Sequence, residues 1–190
     1  MKKTEVQIFD SPQPQVLTET GSGRVFIHLN ERQVKVAEPQ GPDEEPVEVT
    51  KYAYDVLTVT PADKTPDGIL TAVRKAVDDE ITAYDNSDAV NDFTYQGRHM
   101  WLNDSMRTRL DKRLRTDEAD GYETTRITYE GTTFELPIAQ AKVMLHQLES
   151  YARDCFDRTA EHHAAIAAMT DIADIAAYDY TTGYPPILNL

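Results

Sequence analysis

Glu161, His162 and His163, with Cys155 a little upstream and His146 further back, are the side chains of this chain best suited to hold a metal ion. Their spacing argues against it within one chain. Adjacent histidines on a helix point about 100° apart, so His162 and His163 cannot share an ion. Glu161-His162-His163 also lacks the i, i+4 histidine pair that a zinc-protease helix presents. Cys155 and His162 fall on one seam but about 10 Å apart along it. His162 is left as the metal candidate, and only in an assembly, where the axis of a trimer would gather three imidazoles around an ion.

Met106 to Arg115 reads MRTRLDKRLR and sets Arg107, Arg109, Lys112, Arg113 and Arg115 around one helix. Such a cluster could grip phosphate or an acidic partner. The same pattern supplies i, i+4 pairs such as Asp111 with Arg115, the mark of a solvated face. The solvated face fits better, because the chain lacks the basic excess of nucleic-acid binders. There is no glycine-rich phosphate loop and no nucleophile elbow, and no carboxylate pair sits in a context that would shift its pKa. No catalytic or cofactor-binding residue is therefore expected, and the chain reads as a non-enzyme. Trp101 reads as a core plug, and Tyr84, Tyr151, Tyr178, Tyr180 and Tyr184 read as half-buried rings at element ends.

The elements that must position these residues follow from periodicity. Pro137 opens a run free of proline and glycine to Met169, along which Ala141, Leu145, Leu148, Ala152, Cys155, Thr159, His162, Ile166 and Met169 step by four and three. That is the spacing of a coiled-coil seam. One helix of this length reaches about 50 Å, too long to bury its stripe against a small domain. The seam residues Leu145, Leu148, Ala152, Thr159, His162, Ile166 and Met169 are expected to be buried in two ways. The half from Ile138 to Phe156 packs within the subunit, and Thr159 to Met169 reaches a neighbouring copy, which makes the chain a homo-oligomer.

Upstream, Glu5 to Phe9, Arg24 to Leu29, Gln33 to Val36 and Val47 to Val59 alternate as strands, with Asn30-Glu31-Arg32 as a hairpin loop. Ser11 to Gly23 and Glu38 to Pro46 read as loops. Thr65 and Pro66 start a helix that carries Ile69, Val73, Val77, Ile81 and Tyr84 at i, i+4 spacing, and Asp85 to Asp92 breaks it. Gln96-Gly97 and Glu130-Gly131 turn two hairpins, Asn103 caps a helix ending at Gly121, and Thr170 caps a short last helix. The expected fold is α+β: a small N-terminal β module at 1–60, a linker at 61–68, and a helical domain at 69–190 with two β-hairpins and one long C-terminal helix.

The net charge of −14 is spread along the chain and disfavours nucleic acid and anionic membranes as partners. No apolar run approaches the roughly 18 residues of a membrane span. The opening Met1-Lys2-Lys3 has no apolar segment behind it, so no signal peptide is expected. The single Cys155 forms no internal disulfide and reads as a small buried thiol.

One set of positions has a wider counterpart. Tyr84-Asp85, Val90-Asn91-Asp92-Phe93, Gly97, Trp101-Leu102 and Arg107 form its first part. Met144-Leu145, Leu148-Glu149, Tyr151-Ala152, Cys155, Thr159, His162, Tyr178-Asp179 and Gly183-Tyr184-Pro185 complete it. Together they resemble an uncharacterised phage and prophage family, a domain of unknown function whose members lie near or within tail-fibre and tail-assembly genes. The resemblance spans about Ile69 to Pro186 and brings no catalytic residue and no cofactor. It implies a structural or interaction protein of a phage tail, a tail-fibre or baseplate component, assembled in the host cytoplasm and located in the virion. Its partners would be other tail or fibre proteins. A tail-fibre assembly chaperone is the alternative reading, and acidity alone would also suit an inhibitor of a host defence protein.

Overall fold

A computed structural model describes residues 4–19, 21–40, 45–101 and 103–190. The chain is α+β and divides into two compact units. Met1–Glu80 with His163–Asp179 make the first, and Ile81–His162 with Tyr180–Leu190 make the second. Residues 61–65, inside the stretch expected as a linker, connect a strand to a helix within the first unit.

The first unit holds strands β1 (Thr4–Phe9), β2 (Val16–Thr18), β3 (Val25–Glu38) and β4 (Val47–Val59), antiparallel in the order β1-β4-β3-β2. Helix α1 (Pro66–Asp85) follows, with Thr65 capping the Gly68 amide at 3.1 Å. Val25, Ile27 and Leu29 sit opposite Val59, Leu57 and Asp55, so they share one face of the sheet. That face is buried, as are Ile69, Val73 and Val77 of α1. Ile175 and Ala176 of the late helix α5 (Ile172–Ala177), which packs on β3, are also buried. On the other face the rings of Phe9, His28 and Tyr54 meet edge-on, 5.3–5.9 Å apart. The β2 strand lies inside the stretch expected as a loop, because Val16, Leu17 and Thr18 find partners in Ile27, Phe26 and Val25.

Asn30-Glu31-Arg32 is not a hairpin loop. It is a bulge inside one continuous β3, where Leu29 pairs with Asp55 and the next partner pair is Arg32 with Ala53. The segments on either side of the triplet both pair with β4 rather than with each other, which excludes a hairpin, and Asn30 alone of the three has a positive φ (52°). The extra residue shifts the parity of the strand. Val25, Ile27 and Leu29 before it, and Val34 and Val36 after it, therefore share one face. Asn30 Nδ2 donates to Asp55 Oδ2 at 2.9 Å and fixes the bulge to β4. Of the expected loop from Glu38 to Pro46, residues 41–44 lie outside those described.

The second unit carries α2 (Asp88–Asn91), β5 (Asp92–Tyr95), β6 (Arg98–Trp101), α3 (Asp104–Ala119), β7 (Thr124–Tyr129), β8 (Thr132–Pro137) and most of α4 (Ile138–Ala168). A last strand, β9 (Leu188–Asn189), runs parallel to β5 and completes the order β6-β5-β9. Both hairpins turn where expected: φ is 50° and 76° at Gln96-Gly97, and 46° and 76° at Glu130-Gly131. Two consecutive positive values match the right-handed twist of the strands they join. Phe93, Met100, Leu114, Leu136, Leu145 and Leu148 form the centre of this unit's core. Asn103 caps α3 by accepting from the Met106 amide at 3.0 Å. The cap of α5 is Asp171 rather than Thr170, since its carboxylate accepts from both Ala173 N and Asp174 N. The expectation that Trp101 plugs the core concerns a side chain outside the described set.

The bulge yields a direct test by urea unfolding. Asn30→Val, which forces a β-branched side chain into the left-handed region, is expected to lower stability by about 1–3 kcal/mol. Asn30→Gly, which loses the same Asp55 hydrogen bond without the strain, is expected to lose clearly less.

Candidate functional site

The residues that could do chemistry converge where α4, the corner from α1 into α2, and the closing turn 181–184 meet, all within the second unit. Thr159 Oγ1 donates to Asp85 Oδ1 at 2.7 Å. A hydroxyl has one proton, so the 3.0 Å contact between Thr159 Oγ1 and Tyr184 OH is donated by the tyrosine. Arg158, just before Thr159 on α4, and His162, one turn after it, both donate to the carbonyl oxygen of Thr182, through Nε and Nε2 at 3.0 and 3.1 Å. A carbonyl only accepts, which fixes the His162 proton on Nε2. The rings of Tyr84 and Tyr184 lie 5.4 Å apart, those of Tyr84 and Tyr180 5.8 Å, and those of His162 and Tyr184 5.5 Å.

The backbone of this turn favours glycine at Gly183. Its φ is +82°, and a Cβ built on it would stand 2.4–2.5 Å from the Arg158 guanidinium. One turn earlier on α4, Tyr151 OH donates to the Val90 carbonyl at 2.9 Å, and Cys155 Sγ approaches the same oxygen at 3.7 Å. Burial pushes the Cys155 thiol up to about 11 and the Tyr151 phenol up as well. Burial likewise raises Tyr184. These groups stay protonated across the neutral range and act as hydrogen-bond donors. Among the described residues every buried side-chain nitrogen or oxygen has a partner.

The expected seam residues are placed as follows. Leu145 and Leu148 are buried in the second unit's core, and Ala152 is half-buried. Thr159, His162 and Ile166 are buried, His162 with no exposed surface at all. Met169, half-buried, lies just past the helix end. The single chain thus covers the stretch from Thr159 to Ile166, which corrects the expectation that it faces a neighbouring copy. The Thr182 turn closes over His162, so a trimer axis there has no access to the imidazole. His163 belongs to the first unit and pairs through Nδ1 with Asp78, and His146 is exposed. No group of three or more metal-ligating side chains occurs among the described residues.

The basic helix behaves as a solvated face. Arg115 pairs with Asp111 at 2.9 Å and Arg113 with Asp117 at 3.4 Å. Arg107, whose side chain is only 14% exposed, instead joins α3 to α4 through Glu149 at 3.0 Å. A cleft of about 360 Å³ beside α3 is lined by Arg113, Asp117, Thr125, Arg126 and Glu135. Its arginines face carboxylates, with Arg126 also 3.4 Å from Glu135. A smaller cavity bounded by Val90, Leu148, Tyr151 and Cys155 is about 20 Å³, room for roughly one water. Arg158 and the Thr182 carbonyl have no part in the sequence reading, and Asp85 enters it only where the first helix breaks and as one position of the resemblance. The available signals were the i, i+4 spacing of Arg158 and His162 and a glycine directly after Thr182. Comparison with known proteins finds no matching family model, no similar curated protein and no similar solved structure.

Two measurements probe this cluster. Gly183→Ala is expected to cost about 1–3 kcal/mol in urea unfolding, through strain at positive φ and displacement of Arg158. For Cys155, a folded pKa of about 11 against an ordinary 9.0 means that the unfolded chain ionises first as pH rises. Its contribution is therefore complete below pH 9.0 and disappears toward pH 11. Wild-type urea midpoints should fall more steeply over that window than those of Cys155→Ala, whereas parallel curves would show that the thiol is not protected.

Proposed function

We propose that this chain is a non-enzymatic structural or interaction protein of a phage tail, a tail-fibre or baseplate component. The observation that carries the reading is where the family-like positions go. Asp85, Val90, Tyr151, Cys155, Thr159, His162, Gly183 and Tyr184, far apart in sequence, converge on one packed cluster in which each named donor has a specific acceptor. A catalytic group needs a cleft for substrate and a proton it can exchange there. The residues of this cluster fix the path of the backbone instead, and a fixed shape is what a part in an assembly supplies. The exposed Val6, Ile8 and Val47 on the first unit's sheet add apolar surface suited to docking.

The reading is tested by mass spectrometry of purified virions from a phage carrying the gene. The expected result is the protein present in a fixed ratio to the tail proteins. Its absence from virions, together with a raised soluble yield of the neighbouring fibre on co-expression, would replace this role with that of an assembly chaperone.

A further inference from the structure

Among the described residues β1 is the outermost strand of the first unit's sheet, paired with β4 on one side only. Folded proteins blunt such edges with proline, lysine, bulges or very short strands. The opposite edge, β2, follows that rule with three residues. β1 does not: it is six residues, TEVQIF, in unbroken register with β4 from Thr4 opposite Leu57 to Phe9 opposite Tyr52. Val6 and Ile8 lie on one face of this strand and are 61% and 51% exposed. They stand on the face that carries Ile27 and Leu57 into the core, yet here the face meets solvent.

We propose that the β1 edge pairs antiparallel with β1 of a second copy, about a two-fold axis through Gln7, so that two four-stranded sheets become one. The strand is self-complementary about that residue. Val6 comes opposite Ile8 of the second copy and Ile8 opposite its Val6, giving two apolar cross-strand pairs on the exposed face. Glu5 comes opposite Phe9, and Thr4 opposite Asp10, whose carboxylate is already held by Lys51 at 3.0 Å. No carboxylate faces another in this register. A parallel arrangement would set Glu5 beside Glu5. The contact is isologous and closes as a dimer, and it uses a surface separate from the α4 seam. It holds whether or not the assembly served is a phage tail. Because each copy carries a charge of −14, added salt should strengthen the association.

Sedimentation of the full chain and a disulfide cross-link test the proposal together. The wild type should be a dimer in reversible equilibrium, tighter at high than at low ionic strength. Val6→Lys combined with Ile8→Lys should weaken dimerisation at least tenfold while leaving the far-ultraviolet circular dichroism unchanged. Gln7→Cys should oxidise to a covalent dimer, since residues paired across the axis stand about 4.5–5.5 Å apart, within disulfide reach. Glu5→Cys should not. A wild type that stays monomeric at its highest soluble concentration overturns the proposal. So does a dimer that the double lysine variant leaves intact, or cross-linking through Glu5→Cys in preference to Gln7→Cys.

Discussion

An amphipathic helix of 31 residues survives in water only when its apolar stripe is covered. The chain meets this constraint on α4 by wrapping the stripe with its own later and earlier segments. In the second unit, Leu145 and Leu148 pack into the core built on Phe93, Met100 and Leu136. Where the stripe turns polar, at Thr159 and His162, the covering material is the Thr181–Tyr184 turn and the corner at Asp85, held by hydrogen bonds together with the packed rings of Tyr84, Tyr180 and Tyr184. Both kinds of cover are needed, because a threonine and a histidine buried without partners would each forfeit their solvation.

The double-donor carbonyl of Thr182 is the hinge between these two solutions. Arg158 and His162, one helical turn apart, reach the same oxygen. That fixes the turn in direction as well as position, and it leads the chain on to β9, which pairs with β5. Gly183 makes the approach possible because no side chain competes with the guanidinium for space. The result is a cluster in which each named donor is committed to a specific acceptor.

Local features were legible in the sequence because local chemistry decides them. Gln96-Gly97, Glu130-Gly131, the Asn103 cap and the Thr65-Pro66 helix start all sit where turn and capping preferences put them. The bulge at Asn30 reads as a loop from its polar residues, although the parity switch from Val25, Ile27 and Leu29 to Val34 and Val36 is visible in the sequence. A polar triplet looks the same in either role, and only the pairing of Leu29 with Asp55 and Arg32 with Ala53 separates them. The α4 stripe showed which residues are buried but not by what, since a seven-residue rhythm is indifferent to whether its partner is another chain or the same one. The site itself was half legible. Thr159 and His162 stood out on the stripe, while the acceptor that orders them is a backbone carbonyl, which no residue type announces.

The most direct test of internal coverage is Leu148→Asp, followed by circular dichroism and sedimentation over a range of protein concentrations. Leu148 is 4% exposed within the single chain, so a carboxylate there meets an apolar core and loses several kcal/mol of solvation. The expected result is loss of helix signal, with the chain unfolding rather than merely dissociating. A variant that keeps its helix signal and only changes its state of association would contradict internal coverage, and would return the α4 seam to the surface between subunits.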